Sequence, residues 1–144
     1  MPVVVDTSVT LAWLLPDEQS ADADEVLARI ISSNDTMIAP QLWVQETANV
    51  VVSAHRRGRL SEAQASRCLE LQSALPLRID ERPVDQSALV AASLRHGLSV
   101  YDAAYLLLAE RLGLPLATLD RRLADAAAAA GIEVLPDMGA EARR

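Results

Sequence analysis

The stretch Val-Val-Val-Asp at residues 3–6 ends an apolar run on a carboxylate. An acid that closes a buried strand either caps the helix that follows or holds something positive. Glu46 in LWVQETANVVVSAHRR, Asp102 in SVYDAAYLLLAERLG and Asp120 in LATLDRR raise the same question. Each has an ordinary structural use. Asp6 and Asp120 read as N-caps, and Asp102 follows Ser99 at the spacing of a capping box. Glu46 shares a polar helix face with Gln45, Asn49, Ser53 and Arg56, which leaves Val44, Ala48, Val51 and Val52 for the buried side. The chemical use requires the four acids to meet. Clustered carboxylates repel and raise one another's pKa unless a cation or a shared proton relieves them, and such hard oxygen donors suit Mg2+ or Mn2+. Thr7 and Ser8 add hydroxyls beside Asp6, Asn49 adds an amide one turn from Glu46, and the small Ala103 and Ala104 leave Asp102 unobstructed.

The elements that must position these acids alternate along the chain. Strand candidates are Val3–Val5, Met37–Ala39, Leu77–Ile79, Leu116–Thr118 and Ile132–Leu135. Helical patterns fill Val9–Leu15, Ser20–Ser32, Leu42–Arg57, Ser61–Leu75, Val84–His96, Val100–Leu112 and Arg121–Ala130. This order predicts an α/β fold with a mainly parallel five-stranded sheet and helices on both faces. Gly58, Gly97, Gly113 and Gly131 sit where helices end, and prolines, Pro40 among them, punctuate the joints. Asp6 and Asp120 both follow strands, and ligands of open parallel sheets bind beyond the strands' carboxyl ends.

Composition narrows the chemistry. With 144 residues, 51% of them hydrophobic, the chain suits a single domain over residues 1–136, and 137–144 is expected to be a mobile tail. No apolar run approaches the roughly 18 residues of a membrane span, and the N-terminus has no signal-peptide pattern, so a cytoplasmic protein is expected. The one cysteine, Cys68, excludes an intrachain disulfide or a cysteine metal cluster and reads as a small core residue. A net charge of −7 argues against nonspecific coating of nucleic acid but leaves room for a local basic rim. His55-Arg56-Arg57-Gly58-Arg59 and Arg121-Arg122 are its candidates. All 13 basic residues are arginines, and the absence of lysine removes Schiff-base chemistry and the P-loop.

The order DTSV at Asp6, ETAN from Glu46 to Asn49, YDAAY around Asp102 and TLD ending at Asp120 resembles the PIN-domain ribonucleases, specifically the VapC toxins of bacterial type II toxin–antitoxin pairs. The resemblance runs from the first strand to Leu135. It implies a three-layer α/β/α fold and a Mg2+-dependent endoribonuclease, with Mn2+ as a substitute. Asp6, Glu46, Asp102 and Asp120 match the family's metal-binding, catalytic quartet, and Thr7, Ser8, Asn49 and Thr118 match its supporting polar groups. Some relatives carry a further acid soon after the fourth, where Arg121 and Arg122 stand here and Asp125 lies further on. Arg121, Arg122 and Arg56 are the expected RNA contacts. The resemblance also implies a homodimer and a cognate antitoxin, possessing a DNA-binding part in some pairs, whose tail crosses a groove near Trp13, Leu14 and Leu15. A haloacid-dehalogenase-like phosphatase would need a second acid at Ser8 and a lysine, and a phosphorelay receiver also needs lysine. A noncatalytic PIN-like protein-interaction module is the remaining alternative.

Overall fold

The computed structural model describes residues 1–137. Its element order is β1 (Val3–Val5), α1 (Thr7–Leu14), α2 (Ala21–Ser32), β2 (Met37–Pro40), α3 (Leu42–Arg56), α4 (Glu62–Ala74), β3 (Leu77–Asp80), α5 (Gln86–His96), α6 (Val100–Leu112), β4 (Leu116–Ala117), α7 (Arg121–Ala129) and β5 (Val134–Leu135). Apart from Asp137, the expected tail lies outside the described residues. Among those described, no helix is long and apolar enough to cross a membrane.

All five strands are parallel, in the order β3-β2-β1-β4-β5. Successive side chains of a strand face opposite ways, and the core divides accordingly. Val4, Ile38 and Leu116 pack with Tyr105, Leu106 and Ala109 of α6 and with Leu123 of α7. Val3, Val5 and Met37 pack with Val9 of α1 and with Val26 and Ile30 of α2 on the other face. The sheet is therefore the middle of three layers. A third cluster, Leu11, Leu14, Leu15, Val51, Ala54, Leu60 and Cys68, fastens α3 and α4 against α1. Cys68 is buried, as its surroundings in the sequence imply.

The chain builds outward from β1 to β2 and β3, then returns to place β4 on the other side of β1. This reversal is a topological switch point, where the connections leave in opposite directions and open a crevice at the strands' carboxyl ends. Asp6 follows β1 at that crevice, and Thr118 to Asp120 follow β4 there.

Several sequence expectations change. Pro40 is the last residue of β2 rather than a joint: it pairs in register with Asp80 of β3. Helix α1 starts at Thr7, because Asp6 caps it by accepting from the Val9 amide. Helix α3 buries Trp43, Thr47, Val51 and Ala54, while Val44 and Val52 are exposed. Thr47 can occupy the buried stripe because its hydroxyl donates to the Trp43 carbonyl at 2.8 Å. Leu14 and Leu15 lie in the core at 4% and 1% exposure and do not line an open groove. Trp13 is half-buried, and its indole N–H donates to the Ala23 carbonyl at 2.7 Å, which ties α1 to α2.

Candidate active site

Asp6 is the anchor. It is 4% exposed, and both carboxylate oxygens are engaged. Oδ1 accepts from Ser8 Oγ at 2.7 Å and from the Val9 amide at 3.1 Å, and Oδ2 accepts from Thr118 Oγ1 at 2.5 Å. The directions of both hydroxyl bonds are fixed by their other partners. Ser8 Oγ accepts from the Leu119 N–H and Thr118 Oγ1 from the Asp120 N–H, each at 2.9 Å, so each hydroxyl has its own proton left for Asp6. Residues at the end of β1 and those after β4 are thereby laced together around one carboxylate. Burial nevertheless dominates and pushes the Asp6 carboxyl up to about 6, the three hydrogen bonds oppose it, and the Asp120 charge adds to the rise. A carboxylate has about four acceptor sites. Three are taken, and one on Oδ2 remains.

Glu46 projects from the first half of α3 and is half-buried. Its Oε1 accepts from Tyr105 Oη at 2.6 Å and from Thr7 Oγ1 at 2.9 Å, and those two hydroxyls are themselves 2.9 Å apart. Tyr105 is 2% exposed, and burial, reinforced by the Glu46 hydrogen bond, raises its phenol well above the ordinary range, so it remains a donor. Tyr105 has no role in the sequence expectations. Its signal was present in YDAAY, one helical turn after Asp102, but an aromatic at that spacing reads first as core.

Asp102 lies in the first turn of α6, where Ser99 caps the helix by accepting the Asp102 amide at 3.1 Å. Its carboxyl is raised, first by burial and then by the charges of Asp120 and Glu46, against smaller lowering influences from Ser99 and Arg122. Asp120 caps α7 by accepting from the Leu123 amide at 3.0 Å. The capping uses anticipated for Asp6 and Asp120 are thus real, and they coexist with the cluster. Asp120 influences both Asp6 and Asp102, and Glu46 influences Asp102, so the four acids are electrostatic neighbours.

The surrounding expectations divide. Thr7, Ser8 and Thr118 make the contacts described above. Asn49 is exposed on the outward side of α3, and its side chain makes no hydrogen bond among the described residues. Arg122 is exposed and close enough to Asp102 to affect it, and Arg121 is exposed beside it at the start of α7. Arg56 sits in the last turn of α3, about 15 Å along the axis from Glu46, where it favours the helix dipole. Arg59 is engaged by Asp17 at 2.8 Å and Glu18 at 3.1 Å. Asp125 stands on α7, half-buried, with its Oδ1 unpartnered among the described residues.

The donor chemistry fits Mg2+ or Mn2+: all four groups are hard oxygens, their mutual repulsion calls for positive charge, and Asp6 Oδ2 has a site to offer. The acids are gathered but not closed on one point, since no group of three or more His, Cys, Asp or Glu among the described residues is arranged to hold an ion. Cavity volume does not locate this site either. A cleft of about 540 Å3, lined by Glu25, Arg29 and Leu135 among others, lies by α2 and β5 and includes none of the four acids.

Fold and site together define a class: a parallel three-layer α/β domain that gathers carboxylates at its topological switch point. The chain belongs to the PIN domain family, whose model matches residues 3–129. It is similar to Ribonuclease VapC3 of Pyrobaculum aerophilum, 37% identical over 127 residues that cover 87% of this chain and 94% of the relative. It is also similar to Ribonuclease VapC9 of Mycobacterium tuberculosis, 35% identical over 123 residues, 85% of this chain and 89% of the relative. Among solved structures it resembles the crystal structure of PAE2754 from Pyrobaculum aerophilum, with a TM-score of 0.69 and 25% identity over 93% of this chain and 89% of that one.

Proposed function

We propose that the chain is a VapC-type toxin, a Mg2+-dependent endoribonuclease of the cytoplasm that cleaves RNA, inhibits translation and growth, and is held in check by a cognate antitoxin. The observation that carries this reading is the buried Asp6, hydrogen-bonded by Ser8 and Thr118, with Asp120, Asp102 and Glu46 gathered beside it. The family's two named ribonuclease relatives, matched over most of their length, support the substrate class. The same reading includes a homodimer.

In this reading Asp6, Glu46, Asp102 and Asp120 hold Mg2+, or Mn2+ in its place, which when bound acidifies the attacking water and neutralises phosphate charge. Ser8 and Thr118 hold Asp6 in place, so that little reorganisation is needed at the moment of reaction. Water adds to phosphorus and gives up a proton, the bond from phosphorus to the 3′ oxygen breaks, and that oxygen takes up a proton in its place, so one water is consumed per bond cut. The products are a 5′-phosphate and a 3′-hydroxyl. Arg122 supplies a cation at the edge of the acidic cluster for a flanking phosphate.

A noncatalytic interaction module is the competing reading, favoured by the absence of a closed ion site among the described residues. Cleavage of a circular RNA in Mg2+ decides between them, since opening a circle requires an internal cut. The wild type should linearise it, and Asp102→Asn should lower the rate at least a hundredfold while leaving the circular dichroism spectrum unchanged. Equal cleavage by the two proteins would sink the assignment.

A further inference from the structure

Tyr105 lies outside the acidic quartet, yet its hydroxyl meets the site at Glu46. Glu46 stands in the first half of α3 on the side it shares with exposed Gln45 and Asn49, and a glutamate there ordinarily extends into solvent. Here two hydroxyls from other helices converge on the same oxygen, Oε1. We infer that Tyr105 is a positioning residue for ion binding: with Thr7 it occupies Glu46 Oε1, turns the carboxylate inward and leaves Oε2 to the ion. The inference rests on the metal-dependent reading above.

The geometry has two further consequences. A carboxylate oxygen that already accepts two hydroxyl protons has little left to offer a cation, so coordination by Glu46 should be one-sided. The triangle also joins three helices that carry or adjoin the other acids. Thr7 follows Asp6 at the head of α1, Glu46 belongs to α3, and Tyr105 stands one turn after Asp102 on α6. Fixing Glu46 in this way removes side-chain freedom before the ion arrives, which lowers the entropy lost on binding. The Tyr105 ring belongs to the buried core cluster, so Tyr105→Phe keeps the packing and deletes only the donor.

Calorimetric titration of Mn2+ into the metal-free protein tests this without reference to cleavage. Wild type should bind, and Tyr105→Phe should bind 10–100-fold more weakly, the usual range for loss of a hydrogen bond that orients a metal ligand. Thr7→Val, which removes the other donor to Oε1, should shift affinity in the same direction, so the outcome does not hang on one variant. In a Glu46→Gln background the Tyr105→Phe effect should disappear, because the side chain it orients no longer has a charged Oε2 to offer the ion. Unchanged affinity in Tyr105→Phe and Thr7→Val, or the same loss persisting beside Glu46→Gln, would overturn the positioning role alone. If the folded wild type takes up no Mn2+, the metal-dependent reading fails and the inference with it.

Discussion

At the scale of the residue, Asp6 combines three demands that usually compete. It caps a helix, follows a buried strand and accepts two side-chain hydroxyls, all at 4% exposure. Burial sets the sign of the result. The folded carboxyl titrates at about 6 against an ordinary value of 3.8, so between these pH values the folded chain retains a proton that the unfolded chain has lost. Stability in the absence of metal is therefore greatest below the lower value and falls as pH rises through the upper one, by roughly 3 kcal/mol from this group. Asp102, also raised, contributes with the same sign. Urea unfolding of the metal-free protein between pH 4 and 7.5 should show this decline, and Asp6→Asn should retain only the smaller share due to other groups. Identical slopes would mean that Asp6 is no more costly to ionise folded than unfolded. Of the four acids, sequence position alone could mark Asp6 and Asp120 as strand-end residues, but it could not choose between cap and cluster, because both roles put a carboxylate at the same place.

At the scale of the element, α7 presents Asp120 as its cap and Arg121 and Arg122 as its first two residues. A cation that faces an acidic cluster can serve the substrate only if the phosphate passes that edge. Replacing Arg122 with Gln should weaken RNA binding at low salt and flatten the plot of log affinity against log salt by about 0.7–0.9. An unchanged slope, measured by fluorescence anisotropy with an uncleavable RNA, would return Arg122 to a purely local role beside Asp102. Helix ends were legible because glycine carries its own backbone reason: Gly97 and Gly113 take positive φ at the ends of α5 and α6. The faces of α3 were not. Its buried stripe runs through Thr47, whose polarity is cancelled by a bond within its own helix, and two exposed valines imitate a second apolar face.

At the scale of the whole molecule, the acids are held apart along the chain and brought together by the order of the strands. An ion that binds only this assembled state must stabilise it. Mn2+ at a hundred times its dissociation constant should add about 2.7 kcal/mol, a rise in melting temperature on the order of 10 °C, reversed by chelation and absent in Asp102→Asn. An equal rise in both proteins would place the ion elsewhere. The sequence by itself determined the alternation of strands and helices, the four acids and the hydroxyls adjoining Asp6, since these follow from local pattern and from motifs of a few residues. The tertiary structure alone decided that β4 lies beside β1, that Thr118 and Ser8 both donate to Asp6, and that Tyr105 reaches Glu46 from another helix. Those contacts join residues 59 to 112 positions apart, except for Ser8, and at such separations the pairing is set by strand order and by which face of each helix is buried.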